Sequence, residues 1–496
     1  MMSFKDSKVI VRDLGMLLMI VAMTMLIPMA VGVVYGDSWE TMDDFLVAAL
    51  LAGIIGASCY FFIKDPEEMS LKHAIALMVL FWPITCVFSA IPFYLSGYAP
   101  TFLDAFFEAM SGWTTTGLTT IGVAADTFPH SINMWRGLLQ FMGGIGVILI
   151  SIAVLAQART GGESITRMSS EFSPDERLRP GIWGTAKSLL VLMLTFLFIC
   201  SIILLIAGMD PFDAVFHAMA GLGTGGFSTH PESIAFFNSN AIELATMIVM
   251  ILGSMNIAVH MTVLSGNYRE LLKNIEIRTF LVFAALFSVA GAIWLLPNPM
   301  HSSSILGMGE ASNYSIYHVI SAMTTTGWNI VPGGDLVAAF PPVFILALSF
   351  CMIIGGSSIS TAGGLRQIRV ALMIKSVWWH IKKVLLPSTV VFPRSYHHIV
   401  KKTVTDSRMT DIYVFVSIYI LMLLISTIVI ASYGYNIELS FCESATALTS
   451  AGLDFNIATL AAAGGVKIML IIDMWLGRIE IIPILLFIAS FSRRFR

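Results

Sequence analysis

Long apolar runs alternate with short polar ones along the whole chain. Runs near 15–35, 44–63, 73–97, 134–157, 183–208, 240–265, 279–297, 342–380, 411–433 and 466–490 each reach the about 20 mostly apolar residues that a membrane-spanning helix needs. The pattern therefore predicts ten spans. The first run is too long for a cleavable leader, and no small-residue cleavage site introduces a soluble domain. The run from Pro342 to Lys383 stands apart. Its roughly 42 residues would make a helix of about 63 Å, twice the ~30 Å hydrocarbon thickness, so it must be broken or bent. The break is visible as Gly355, Gly356, Ser357, Ser358, Ile359, Ser360, Thr361, Ala362, Gly363 and Gly364.

Composition agrees with the pattern. Of 496 residues, 57% are hydrophobic and 12% are charged, against about 25% charged in an ordinary soluble domain. A mean hydropathy of +0.84 over this length excludes one soluble core, because single cores stop growing beyond about 250–300 residues. A net charge of -3 with no separate basic domain excludes a nucleic-acid partner. The cysteines Cys59, Cys86, Cys200, Cys351 and Cys442 lie in apolar runs without CxxC spacing, so neither a disulfide framework nor a thiolate metal site is predicted. Of the 28 basic residues, all but Arg136, Lys467 and Arg478 fall on one side when the spans alternate from a cytoplasmic N-terminus. Both termini are then cytoplasmic, and the largest cytoplasmic segments are 158–182 and about 381–410.

Four short stretches follow apolar spans but are too weak to be spans themselves. They run from Asp104 to Thr119, Asp213 to Ser228, Tyr314 to Asn329 and Leu439 to Asp454. They align on Gly117, Gly226, Gly327 and Gly452. Two residues earlier stand Thr115, Thr224, Thr325 and Ser450, a hydroxyl each time. One residue later stand Leu118, Phe227, Trp328 and Leu453. Nine residues earlier stand Glu108, His217, His318 and Glu443. The repeating unit is span, half-helix, glycine turn, span. This predicts an all-α membrane protein: two N-terminal helices (1–70), then repeats over 71–160, 181–275, 276–385 and 411–496, with a cytoplasmic linker at 386–410.

A half-helix of about ten residues cannot cross a bilayer, and unwound backbone survives at membrane depth only against protein or water. The four turns are therefore expected around one shared axis. Small, hydroxyl-rich turns let carbonyls face that axis, and glycine supplies φ > 0. A carbonyl ring replaces the hydration shell of a dehydrated monovalent cation. The candidate filter is Thr115, Thr116, Gly117, Thr224, Gly225, Gly226, Thr325, Thr326, Gly327, Ser450, Ala451 and Gly452. The alternative is four re-entrant loops that only pack a core. Asn329 and Asp454 lie just outside the ring, where Asp454 either concentrates cations or is a solvated rim residue.

The small-residue break at 355–364 reads as a gate beneath the filter or as a packing kink. Arg478 lies near the middle of the last span, where an unpaired charge costs a few kcal/mol or more. Asp473 and Glu480 are not on its helical face, which leaves gate-loop carbonyls or Glu443 as partners. It serves as a positive barrier near the pore, as a staple between repeats, or as both. For Glu108, His217, His318 and Glu443, bonds that hold each turn are preferred to a cation or proton relay. Gly221-Leu-Gly-Thr-Gly-Gly226 matches G-x-G-x-x-G but follows no strand, so the dinucleotide reading fails. His397 and His398 are expected to be solvated. No nucleophile–base pair converges in the spans, so no enzyme is predicted, and no ATP motif is present.

The four glycine turns, the broken span and the stretch Met474-Trp-Leu-Gly-Arg-Ile-Glu480 resemble the Trk/Ktr/HKT superfamily of potassium transporters. The two extra N-terminal spans favour the Trk type (TrkH-like membrane subunits). The resemblance implies one potassium filter per subunit and K+ as the transported ion, with no organic cofactor. It implies that the intramembrane loop is the gate, and that Gly117 at the first filter position favours potassium over sodium. It further implies a homodimer in the lipid of a prokaryotic inner membrane. The basic segment 366–408 suits docking of a partner, and the resemblance names one: a cytosolic nucleotide-binding regulatory subunit, TrkA-like and of the RCK type.

Overall fold

The computed structural model describes residues 4–63, 70–161, 182–296, 307–387 and 393–491. Most of the basic segment 158–182, Lys64 and the tail residues Arg493, Arg494 and Arg496 lie outside the described residues. Among the described residues, seven helices are long and apolar enough to cross a membrane unbroken: Ser7–Tyr35, Trp39–Phe62, Lys72–Leu95, His130–Leu149, Lys187–Ala207, Ile275–Leu295 and Asp406–Ala431. Four short helices sit between spans, at Phe102–Trp113, Pro211–Leu222, Met308–Met323 and Ile437–Thr449. At 1.5 Å per residue they are about 18–24 Å long, too short to cross. They are the four half-helices that the repeat predicts.

Each half-helix is followed by an inner helix, and here the structure differs from the sequence expectation. The runs at 240–265 and 466–490 were expected to be continuous. Both are broken. Asn240–Ser254 and Ile257–Leu264 meet at 104°, and Gly464–Ile479 stops at Glu480 (φ 61°) before Ile482–Phe491. With the expected break after Pro342–Ile354, three of the four inner helices end within one residue of the same alignment position, 27–28 residues beyond the turn glycine: at Ser254, Ile354 and Ile479. No glycine run marks the second and fourth breaks, although Pro483 stands three residues beyond Glu480. Polar partners make them instead. Asn256 caps the next helix by accepting from Ala258 N–H at 2.8 Å, and Glu480 is held by Arg366 and Arg369, each at 2.7 Å. The first inner helix, His130–Gly161, stays continuous through this level.

Two of the basic residues that escape the topology count prove to be buried ties between elements. Lys467 Nζ donates to Asp104 Oδ1 at 2.6 Å and to Leu460 O at 2.9 Å, which joins the fourth repeat to the first. Arg136 donates to Glu108 Oε1 and to Ser228 O, both at 2.8 Å, which joins the first repeat to the second. The N-terminal pair is fastened in a similar way: Asp37 accepts from Ser131 N–H at 2.7 Å and caps the first inner helix. One departure from an all-α chain appears in the linker 386–410. There β1 (Ser395–His398) pairs antiparallel with β2 (Val400–Thr403), Ser395 opposite Thr403.

Removing one partner of a buried ion pair leaves an uncompensated charge, at about 3–5 kcal/mol. Lys467→Met is therefore expected to lower the melting temperature of the purified protein clearly. The pair Asp104→Leu/Lys467→Met is expected to regain most of that loss.

Candidate functional site

All four half-helices end in the same way. In the first, Thr116 N–H donates to Ser111 O at 2.9 Å and Thr115 N–H to Gly112 O at 3.1 Å. The equivalent bonds recur from Gly225 and Thr224, from Thr326 and Thr325, and from Ala451 and Ser450. This is the Schellman termination, which needs a left-handed residue. Thr115, Thr224, Thr325 and Ser450 supply it with φ of 53°, 51°, 53° and 54°, a conformation costing a non-glycine residue about 1–2 kcal/mol. Two residues on, the aligned glycines are left-handed again, at 91°, 78°, 86° and 76°.

Those glycines close a ring. A Cβ on Gly117 would overlap Gly225 O, one on Gly226 would overlap Thr326 O, one on Gly327 Ala451 O, and one on Gly452 Thr116 O, each closer than 3.0 Å. The order is first to second to third to fourth and back to first. Every contact is to the residue that precedes the neighbour's glycine. All four glycines line one cavity of about 470 Å³, together with Thr119, Ser228, Asn329 and Asp454. The four turns thus share one axis and open on one vestibule.

The ionisable residues nine positions earlier hold the chain that leaves each turn. Glu108 Oε2 accepts from Thr119 Oγ1 at 2.7 Å. His217 Nε2 meets Ser228 Oγ at 3.1 Å, and His318 Nε2 meets Asn329 Oδ1 at 3.0 Å. Glu443 accepts from Phe455 N–H at 3.0 Å and Ala458 N–H at 3.2 Å. The structural role preferred for them agrees with this geometry. Asn329 consequently has little to offer the mouth. It is buried, its oxygen faces His318 and Val331 N–H, and its nitrogen donates to Gly334 O at 2.8 Å. Asp454 is exposed to the vestibule. Sequence reasoning missed Gln140, an uncharged residue in an apolar run. Its Nε2 donates to Gly225 O at 2.6 Å, and its Oε1 accepts from Phe227 N–H at 3.2 Å.

The loop 355–364 lies against these turns and reaches all four repeats. Gly363 N–H donates to Thr325 Oγ1 at 2.9 Å, and its Cα abuts Thr449 O. Thr361 Oγ1 bonds Leu222 O at 2.8 Å and Gly253 O at 2.9 Å. Arg478 donates to Thr361 O at 2.6 Å and to Gly143 O at 3.3 Å. Of the two expected partners of Arg478, the carbonyl of the 355–364 loop is the real one, and Glu443 is engaged elsewhere. Ile359 has φ 50° and is buried.

From the other side the loop is held by a buried polar cluster. Glu276 Oε1 accepts from Ser358 N–H at 2.7 Å, while Asn256 Nδ2 donates to Ser358 Oγ at 3.2 Å. Glu276 Oε2 lies 2.8 Å from His398 Nε2, both side chains 1% exposed. His397 meets Glu270 at 3.0 Å. The expectation that both are solvated is thus corrected for His398, whereas His397 keeps about a third of its side chain exposed. β1 turns both toward carboxylates on the second and third repeats, which local sequence could not indicate because the partners lie more than 120 residues away.

At the vestibule rim, His230 sits 2.6 Å from Asp126, 3.4 Å from Asp213 and stacks on Phe236 at 3.5 Å. Burial alone would lower its proton affinity. Bonds to Asp213 and Asp126 and their charges outweigh burial and raise it above the usual histidine value. A raised folded value gives stability that is full below the unfolded value of about 6.5 and is lost as pH rises through the folded one. His230→Gln is therefore expected to melt below the parent at pH 6, with the gap narrowing by pH 9.

The chain matches the family model for TrkH, described as cation transport protein, over residues 43–493. It is 30% identical to the Trk system potassium uptake protein TrkH of Escherichia coli K12, over 98% of this chain and 99% of that protein. It is 29% identical to an uncharacterized cation transporter of Methanocaldococcus jannaschii, over 98% and 96% of the two chains. The crystal structure of the potassium transporter TrkH from Vibrio parahaemolyticus superposes with a TM-score of 0.84 at 27% identity, covering 99% of each chain. With its seven unbroken apolar helices and four half-helix repeats, the chain belongs to the TrkH family of cation transport proteins.

Proposed function

We propose that this chain takes up potassium ions across the inner (plasma) membrane of a prokaryote through a gated, channel-like pore. The observation that carries the reading is the closed ring of Gly117, Gly226, Gly327 and Gly452 on one vestibule. The E. coli and Vibrio relatives, named as potassium proteins, support the ion. The filter comprises Thr115, Thr116 and Gly117 with their counterparts Thr224–Gly226, Thr325–Gly327 and Ser450–Gly452, and backbone oxygens replace water around the ion. Asp454 raises the cation concentration at the mouth. The repeats occupy 71–160, 181–275, 276–385 and 411–496, and both termini are cytoplasmic.

The loop 355–364 is the gate, and Arg478 both pins it and places a positive charge below the filter. Two chains form a homodimer, and a cytosolic nucleotide-binding subunit of the RCK type docks on the basic segment around β1 and β2. Its pull reaches the gate through His398, Glu276 and Ser358, which touch in sequence. A second reading, a sodium or weakly selective monovalent cation pathway, draws on one feature. Gly225 O already accepts a bond from Gln140, so the ring oxygens are not equivalent.

In proteoliposomes holding the purified chain, K+ and Rb+ flux is expected well above Na+ and Li+ flux. Gly452→Ala is expected to cut K+ flux on the order of tenfold or more, since overpacking costs about 1–3 kcal/mol and 1.4 kcal/mol is tenfold. Equal Na+ and K+ flux would favour the second reading. Arg478→Ala, with the filter untouched, is expected to raise resting flux several-fold at unchanged K+ over Na+ preference, measured in the same vesicles.

A further inference from the structure

A second cavity, of about 520 Å³, lies between the first helix of the third repeat, the helix Gln367–Leu385 and the hairpin. Its polar end carries four cations: Lys273, Arg278, Lys375 and Lys401. None of the four has an acidic partner among the described residues, and Arg278 donates only to a backbone oxygen, Leu272 O, at 2.6 Å. The carboxylates on the same elements, Glu270 and Glu276, are turned to His397 and His398. The other wall is apolar, with Val282, Phe283 and Ile374. Val282 is 63% and Ile374 54% exposed. This wall continues into the outward face of Ile275–Leu295, whose apolar stretch is only 6% buried inside the chain.

Four like charges gathered without counter-charge repel one another unless an anion joins them. A free anion would satisfy the polar end and leave the apolar wall bare. A phospholipid satisfies both: a phosphate headgroup among the cations and an acyl chain along Val282 and Ile374. Basic pockets between membrane helices at the cytoplasmic surface have this character. We propose that this cavity is a binding site for an anionic phospholipid. Lys401 comes from the hairpin, whose His398 contacts Glu276 beneath the gate loop, so an occupied site fastens the hairpin to the third repeat. The proposal rests on the chain spanning a membrane and is independent of which ion it carries.

The test is native mass spectrometry of the purified full-length chain with equimolar phosphatidylglycerol and phosphatidylcholine. The parent is expected to retain phosphatidylglycerol in preference. Each lost charge is worth about fivefold, so Arg278→Gln/Lys375→Gln is expected to lower the preference on the order of 25-fold. Lys401→Gln, which leaves the membrane helices unaltered, is expected to lower it about fivefold. Lys382→Gln/Lys383→Gln, beyond the cavity lining, is expected to change it little. Equal retention of both lipids by the parent overturns the proposal, as does an unchanged preference in Lys401→Gln. Displacement of phosphatidylglycerol by excess inorganic phosphate would assign the pocket to a free anion. Loss of a dimer in the same spectra, with lipid preference intact, would assign it to a second copy of the chain.

Discussion

Four turns can share one axis here only because four residues lack a side chain. At Gly117, Gly226, Gly327 and Gly452 the backbone of one repeat lies where a Cβ of its neighbour would have to be. Each contact is to the next repeat's carbonyl, so the ring closes without a seam. The left-handed Thr115, Thr224, Thr325 and Ser450 cost conformational energy, and the surrounding bonds hold them there. The Schellman pair pins each half-helix end, and Glu108, His217, His318 and Glu443 pin the outgoing strand. The ties from Lys467 to Asp104 and from Arg136 to Ser228 O link neighbouring repeats around the ring.

The intramembrane loop is defined by what it touches. Unwound backbone at this depth must find partners in protein. Thr361 and Gly363 supply them at half-helix ends and a turn hydroxyl, and Arg478 takes Thr361 O. On the far side Glu276 and Asn256 take Ser358. The common break 27–28 residues beyond each glycine in repeats two to four gives this arrangement room. Ser254 O accepts from Ser357 N–H at 3.0 Å, so the second inner helix ends on the loop 355–364 itself.

Much of this was legible in the sequence. The fourfold hydroxyl-x-Gly register, the half-helices, the broken span and a gate-loop carbonyl as partner of Arg478 follow from spacing and from the cost of exposed polar groups in lipid. What stayed hidden was set by distant partners. The break at Asn256 lies in a long apolar run, whereas Glu480 and Pro483 stand together at the fourth break, a helix-ending signal that the apolar pattern of the run outweighed. Gln140, Arg136 and His398 act on segments 85 to 122 residues away. The hairpin at 395–403 has two histidines and the polar residues Ser395, Lys401, Lys402 and Thr403 where a strand pattern would show alternating apolar ones, so it read as a solvated linker.

The most direct test of the ring as an ion site is anomalous diffraction from crystals of this protein equilibrated with Rb+. The account predicts a peak on the axis enclosed by Gly117, Gly226, Gly327 and Gly452, one that excess K+ removes and excess Na+ does not. A map with no peak inside the ring, or one that Na+ clears as readily as K+, would contradict a potassium filter built from these four turns.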